Sequence, residues 1–412
     1  MSTGRESRKH GSRYLKTVLI LSVLIIVLAL PALSSSFCDR YTDMVYPVLC
    51  DAISHVTGPV PFAAGEILMY IGVLLLLVSV LFLFLLIFLR KNVGYRRFCR
   101  GFFKAFSIVL LVVVLVYIPT WFIPFCGTVL GRGDQKLRTD FTYEEVYDLL
   151  LFAADGANAA AEEIYIAEDG RVEFYTSEKT SELAAEAMKG LGDEFGRLRG
   201  YYPPVKTAIC SDILERMWIG GYNYPYTMEP THNRYLSPLY QLSLDAHEYA
   251  HHKGYEKENE AMFLSFLACS RSEDPYLRLS GYWEMYDYLY SAYIDARDRV
   301  IDGLIAEGKI EWPERIESEE DLMKIGAVLK QYFNDEPSLS ERAVRIHEAG
   351  MNIEREIYEA DTHVIDELPA VDEAIRETAD TGWSVQGEIL KENTYDGVVL
   401  LLLQYYYPET EK

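Results

Sequence analysis

The sequence lacks any Cys-x-x-Cys pair: its six cysteines, Cys38, Cys50, Cys99, Cys126, Cys210 and Cys269, stand apart. That excludes a zinc ribbon and a thioredoxin-like redox motif. It also lacks an internal repeat and a low-complexity tract, which excludes solenoids and propellers. Basic residues are scarce beyond the first third. Residues 1–123 hold 12 Lys and Arg against 5 Asp and Glu, a net of +7, which leaves −30 for residues 124–412 to reach the total of −23. So acidic a domain repels phosphate backbones and anionic lipid headgroups, and nucleic acid is set aside as a partner.

Charge is missing altogether from three long apolar runs, Thr17–Leu33, Ile67–Leu89 and Ala105–Ile123. At 1.5 Å rise per residue, each is about long enough as a helix to cross a bilayer core of roughly 30 Å. The expectation is a membrane anchor over residues 1–123 with three transmembrane helices and the lipid bilayer as partner. Arg5, Arg8, Lys9, Arg13 and Lys16 precede the first run. Arg90, Lys91, Arg96, Arg97, Arg100 and Lys104 separate the second from the third, whereas the Ser34–Glu66 loop has only Arg40. The basic flanks predict a multi-pass protein of the plasma membrane with a cytoplasmic N-terminus, the first loop outside, and an extracytoplasmic domain over residues 124–412. The first run also has the basic start and trailing small residues of a signal peptide; its removal would leave the domain on the same side. Cys38 and Cys50 share the first loop, where either a disulfide or two thiols fits the sequence.

In the large domain, Thr142 with Glu145 reads as a capping box opening a helix to about Tyr165. Arg171–Tyr175 reads as a short strand and Ser181–Leu198 as a helix ending near Gly200. Residues Tyr201–Tyr240, rich in Tyr, Pro, Gly and Trp, read as strands and tight turns. Helical signals resume at Ser237-Pro238 and continue with breaks to about Glu359. Val398–Leu403 is too short to span a bilayer and belongs in the core or at the interface.

The chemistry concentrates in His247-Glu248-Tyr249-Ala250-His251. On a helix, residues four apart aim at one point, so His247 and His251 can hold a metal while Glu248 projects beside them. Two imidazoles suit Zn²⁺, and the carboxylate suits a general base that takes a proton from activated water and returns it to a leaving amine. Gly254 is placed to end that helix and reverse the chain, bringing a carboxylate back as third ligand. Spacing leaves Glu256, Glu258 and Glu260 in competition. Glu258 is favoured, with Glu260 second, because Glu258 starts a Glu-x-x-Ala pattern leading into the apolar Ala261–Cys269. His252 points about 100° away from His251 and reads as a supporting or exposed residue.

With these residues in place, the chain resembles a bacterial family of membrane proteins, "domain of unknown function 3810", and more broadly the gluzincin metallopeptidases, in which HExxH is followed by a liganding Glu. The resemblance covers most of the chain: the three apolar runs, Gly221–Tyr226 with Glu229 and Asn233, then His247–His251, Gly254 and Glu258–Ala261. It implies an α+β, mostly α fold: three transmembrane helices followed by a zincin-like metallopeptidase domain with a small β-element. It also implies a zinc-dependent hydrolase acting on a peptide or protein. In gluzincins an Asp or Asn four residues after the liganding Glu often supports a metal-bound His. Here that position is Met262, so either another group holds the histidine or a different carboxylate is the ligand. The Gly220–Asn233 segment is placed for binding extended substrate by strand addition, or its tyrosines form a core or interface belt. Tyr222, Tyr226, His232, Arg234 and Tyr395 are candidates for stabilising an oxyanion. Two alternatives compete: a sensor or assembly factor with a metal but no chemistry, and a metal-free helical scaffold. Oligomeric state is not readable.

Overall fold

Lipid offers backbone groups no partners, so the charge-free runs should be helical. They are in the computed structural model, which describes residues 2–133, 138, 141–312, 318–390 and 397–408. Helix α1 (Ser2–Ala29) is followed by a 3₁₀ turn, α2 (Ser35–Met44) and α3 (Tyr46–Thr57), then by the antiparallel pair α4 (Ala64–Phe88) and α5 (Val93–Tyr117) and the short α6 (Ile123–Phe125). Asn92 caps α5 by accepting from the Tyr95 N–H, and the Tyr95 hydroxyl donates back to the Phe82 carbonyl, closing the hairpin. A π turn with Pro119 near its start carries α5 into α6. Among the described residues, three helical segments are long and apolar enough to cross a membrane: Arg13–Leu33, Ala64–Phe88 and Val93–Phe125.

The rest is mostly helical with one small sheet. Helices α7 (Tyr143–Glu163) and α8 (Ser177–Gly190) lead to strand β1 (Lys206–Thr207), and after α9 (Ser211–Arg216) come the strands β2 (Gly221–Tyr224) and β3 (Glu229–His232). Then come α10 (Tyr240–His252), α11 (Glu258–Ser270), α12 (Pro275–Ala306), α13 (Glu319–Leu329), α14 (Glu341–Ala360), α15 (Pro369–Leu390) and α16 (Gly397–Tyr406). The sheet order is β1-β3-β2, with β1 parallel and β2 antiparallel to β3, so β2 is an edge strand. Helix α10 lies at the centre, every residue from Gln241 to Ala250 buried, against the sheet, α8, α11 and α12. In α16, Val398, Val399 and Leu401–Leu403 are buried in the main core, which chooses core over interface for that segment.

Three sequence expectations change, and one left open, the state of Cys38 and Cys50, is decided. Arg171–Tyr175 pairs with no strand; Phe174 and Tyr175 pack their rings on Tyr276 instead. Helix α8 starts earlier than Ser181, at the Thr176 cap, and ends at Gly190, leaving only a 3₁₀ turn at Gly196–Leu198. The β region contains a helix, α9. Cys38 and Cys50 are both free, buried thiols, and Cys50 Sγ lies 3.4 Å from His252 Nε2.

The first loop, through its two helices, is built into the large domain, so both lie on the same side of the apolar helices. Glu229 on β3 accepts from the Ala64 and Gly65 N–H groups, the free donors at the start of α4, and pairs with the buried Lys206. Lys206 Nζ also donates to the Thr57 and Phe62 carbonyls, each at 2.9 Å. In return Glu66, in the first turn of α4, accepts from the Ile209 and Cys210 N–H groups that precede α9. Removing one partner of a buried pair strands the other. Glu229→Ala should therefore destabilise the protein by about 3–5 kcal/mol, read as a lowered Tm in detergent; an unchanged Tm would show that the clamp contributes nothing.

Candidate metal centre

Helix α10 ends in a reversal that its sequence dictates. The Tyr255 N–H bonds the Ala250 carbonyl and the Gly254 N–H bonds the His251 carbonyl, the paired contacts of a glycine-terminated helix, with Gly254 at φ +84°. A Cβ there would press on the Tyr46 ring at 3.0 Å, so glycine is required twice over. The His252 carbonyl accepts from the Tyr46 hydroxyl and the Cys50 thiol, both on α3. The chain then re-enters as α11, and Glu258 at its start comes back over His247 and His251.

The three side chains form a compact triangle. His247 Nε2 and His251 Nε2 are 3.0 Å apart, and Glu258 Oε2 lies 3.2 Å from the first and 3.5 Å from the second. Four ligands at about 2.0–2.1 Å around a tetrahedral zinc are separated by about 3.3 Å, so this donor set fits such an ion with a position to spare. His251 Nδ1 lies 2.8 Å from the Tyr255 carbonyl, which directs Nε2 at Glu258. A backbone carbonyl thus supplies for His251 the support that Met262, buried in the core, cannot. His247 is buried, whereas His251 and Glu258 keep some solvent contact.

Electrostatics set these groups apart. Burial opposes charge on both His251 and Glu258, yet each holds the other ionised: the imidazole is pushed up to about 10 and the carboxyl lies well below its usual range. Burial lowers His247. Burial, reinforced by Glu258, pushes Glu248 up to about 8, and its Oε2 has no hydrogen-bond partner among the described residues. Glu248 faces the backbone of β2: a Cβ at Gly221 would lie 2.7 Å from Glu248 Oε1 and 2.8 Å from the Thr231 carbonyl oxygen. Glycine at 221 lets an edge strand lie directly on that carboxylate.

Among the competing acids, Glu260 is spent on structure, accepting from the Leu130 and Lys257 N–H groups. Glu256 is buried and raised to about 8 by that burial. His252 is fully buried against Cys50, not exposed. The oxyanion candidates do not gather at the triangle. His232 pairs with Asp245 at 2.8 Å, Tyr222 packs with Ala208, Cys210 and Leu214, Arg234 bonds Asp361, and Tyr226 tilts against Tyr117. Tyr395 lies outside the described residues. Sequence reasoning missed Tyr240: the residue is 39% exposed, at the rim of the site, but its hydroxyl end is held well above its ordinary pKa by loss of water around it and then by Glu284, Tyr288, Glu248 and Glu258. Its signal was spacing: positions 240, 244, 247, 248 and 251 share one helix face. Glu284 on α12, raised to about 7 by burial, was missed too, having no local motif.

A mostly helical protein with three helices fit to cross a membrane and a clustered His₂Glu triangle is the class that fold and site define. Within it, the chain belongs to the family described as "protein of unknown function (DUF3810)", whose model matches residues 41–324. That span takes in most of the first loop, the sheet, α10 and α11. No curated protein and no solved structure matches the chain.

The raised Glu248 has a testable sign. In metal-free protein the folded state holds a proton that the unfolded chain releases near 4.5, so Glu248 costs stability increasingly as pH rises from 4.5 towards 8. With chelator present, Glu248→Gln should unfold several degrees above wild type at pH 8 and lose that advantage at pH 4.5. An identical Tm difference at both pH values would contradict the burial of this charge.

Proposed function

We propose that this protein is a membrane-anchored, zinc-dependent hydrolase, a metallopeptidase of gluzincin type with a zincin-like domain. The carrying observation is the triangle of His247, His251 and Glu258 at tetrahedral spacing, with Glu248 beside it, whose Oε2 has no hydrogen-bond partner among the described residues. Zinc held by these three residues would supply a Lewis acid for water and for the scissile carbonyl.

The chain's own groups supply the rest. Burial raises the proton affinity of Glu248, so that in its ionised form the carboxylate is a stronger base, suited to take a proton from the attacking water and to return it to the leaving amine. The free edge of β2 offers backbone N–H and C=O groups to an extended peptide, and Gly221 keeps that edge against Glu248. The Tyr240 hydroxyl is the donor best placed by helix face to meet an oxyanion. The basic flanks of the apolar helices support a plasma-membrane location with the N-terminus cytoplasmic and the site outside. A sensor with a closed metal site would need a fourth protein ligand; among the described residues the cluster has three donors.

Zinc content separates the roles. Detergent-purified wild type should carry about one zinc per chain, His251→Ala and Glu258→Ala should lose it, and Glu260→Ala and Glu248→Gln should keep it. Glu248→Gln should also lower hydrolysis of any responsive substrate by about 10²–10⁴-fold. Zinc-free wild type from metal-replete preparations, or full activity in Glu248→Gln, would sink the reading.

A further inference from the structure

The hairpin of α4 and α5 has a second feature at the end away from the metal centre. Glu66 and Glu229 fasten the start of α4 to the large domain, and the 25 residues of α4 set its other end roughly 36 Å away at about 1.5 Å per residue. There Tyr14 of α1, the last turns of α4 and the first turns of α5 surround an open cavity of about 930 Å³, within the usual size of a ligand site. Tyr14 fixes α1 to this end of the hairpin. Its hydroxyl lies 2.9 Å from the Ser107 hydroxyl on α5, and Lys104 Nζ stands 5.1 Å over its ring.

The walls divide into two chemistries. Arg90 and Lys91 from the turn, with Arg96, Arg100 and Lys104 from α5, supply five cations, while Leu83, Leu86 and Phe103 supply apolar surface. The three cations on α5 recur every four residues, so they share one helix face, where like charges repel. No acid answers them. Residues 67–133 contain no Asp or Glu, and among the described residues none of the five cations is ion-paired. The start of α5 adds the positive end of its helix dipole at the same place. Charge bias across a membrane accounts for cations at this end of the helices, but not for their gathering around one cavity. Arg97, one position off the stripe, and Arg13, beside Tyr14, do not line it.

We propose that this cavity binds the headgroup of an anionic phospholipid, with the phosphate among the five cations and the acyl chains leaving along Leu83, Leu86 and Phe103. The fork of a guanidinium matches two phosphate oxygens, and bound negative charge removes the repulsion along α5. A lipid meets both walls at once, whereas a free phosphate would leave the apolar wall unmatched. The site is separate from the metal centre and does not depend on the hydrolase reading.

The test is native mass spectrometry of the delipidated full-length protein in detergent, titrated with dioleoyl phosphatidylglycerol, dioleoyl phosphatidylcholine or glycerol 3-phosphate. Phosphatidylglycerol should bind about 10-fold or more tighter than phosphatidylcholine, and glycerol 3-phosphate at equal concentration should not displace it. Arg96→Ala with Arg100→Ala should weaken phosphatidylglycerol binding by about 30-fold, and Arg100→Ala alone by about 5-fold. Arg13→Ala with Arg97→Ala, which removes the same charge outside the cavity, should bind as wild type does. If the first double variant fails to fold, Arg100→Ala against Arg97→Ala makes the same comparison. Equal affinity for the two lipids, equal losses inside and outside the cavity, or displacement by glycerol 3-phosphate would overturn the proposal.

Discussion

The reversal of the chain at Gly254 is the constraint on which the site depends. Two histidines one turn apart supply two donors, but a third must come from a segment folded back over them, and only a residue comfortable at φ +84° permits that return within a few residues. The space is closed by Tyr46, so the same glycine that turns the chain also lets the first loop pack beneath α10. Tyr46 and Cys50 then satisfy a carbonyl at the helix end that would otherwise be buried without a partner. Ligand geometry and the seating of the apolar helices thus share one turn.

Burying so many ionisable groups is expensive, and their charges explain what the arrangement favours. Glu248, Glu256 and Glu284 are all raised by burial, and His251 keeps its charge chiefly through Glu258, with Glu248 and Glu256 adding to it. Such a cluster is unstable towards anything that supplies positive charge without a proton. A divalent cation in the triangle would displace the shared proton and lower the cost of the surrounding carboxylates together, so folding, metal affinity and pH are coupled in the proposal.

Much of this was legible in the sequence. The charge-free runs, the capping box at Thr142, the turn at Gly254 and the histidine pair are local signals, and local signals survive the step to three dimensions. The sequence favoured Glu258 among three acids from its Glu-x-x-Ala pattern; what it could not show is which acids the backbone consumes, and Glu260 is taken by Leu130, some 130 positions earlier in the chain. The first loop looked like a connection, yet its helices support the site, since partners such as His252 and Met228 are distant in sequence. The strand expected at Arg171–Tyr175 failed for the same reason: β pairing is non-local, and the aromatic rings there found Tyr276 instead. His252 was left as either a supporting or an exposed residue because a helix wheel shows direction but not what packs there; the fold buries it against Cys50.

The most direct test of the central claim, an open His₂Glu zinc site, is X-ray absorption at the zinc edge on detergent-solubilised protein. The account predicts a first shell of nitrogen and oxygen at about 2.0–2.1 Å with the scattering signature of two imidazoles. A sulfur shell at about 2.3 Å, or a single imidazole, would contradict it.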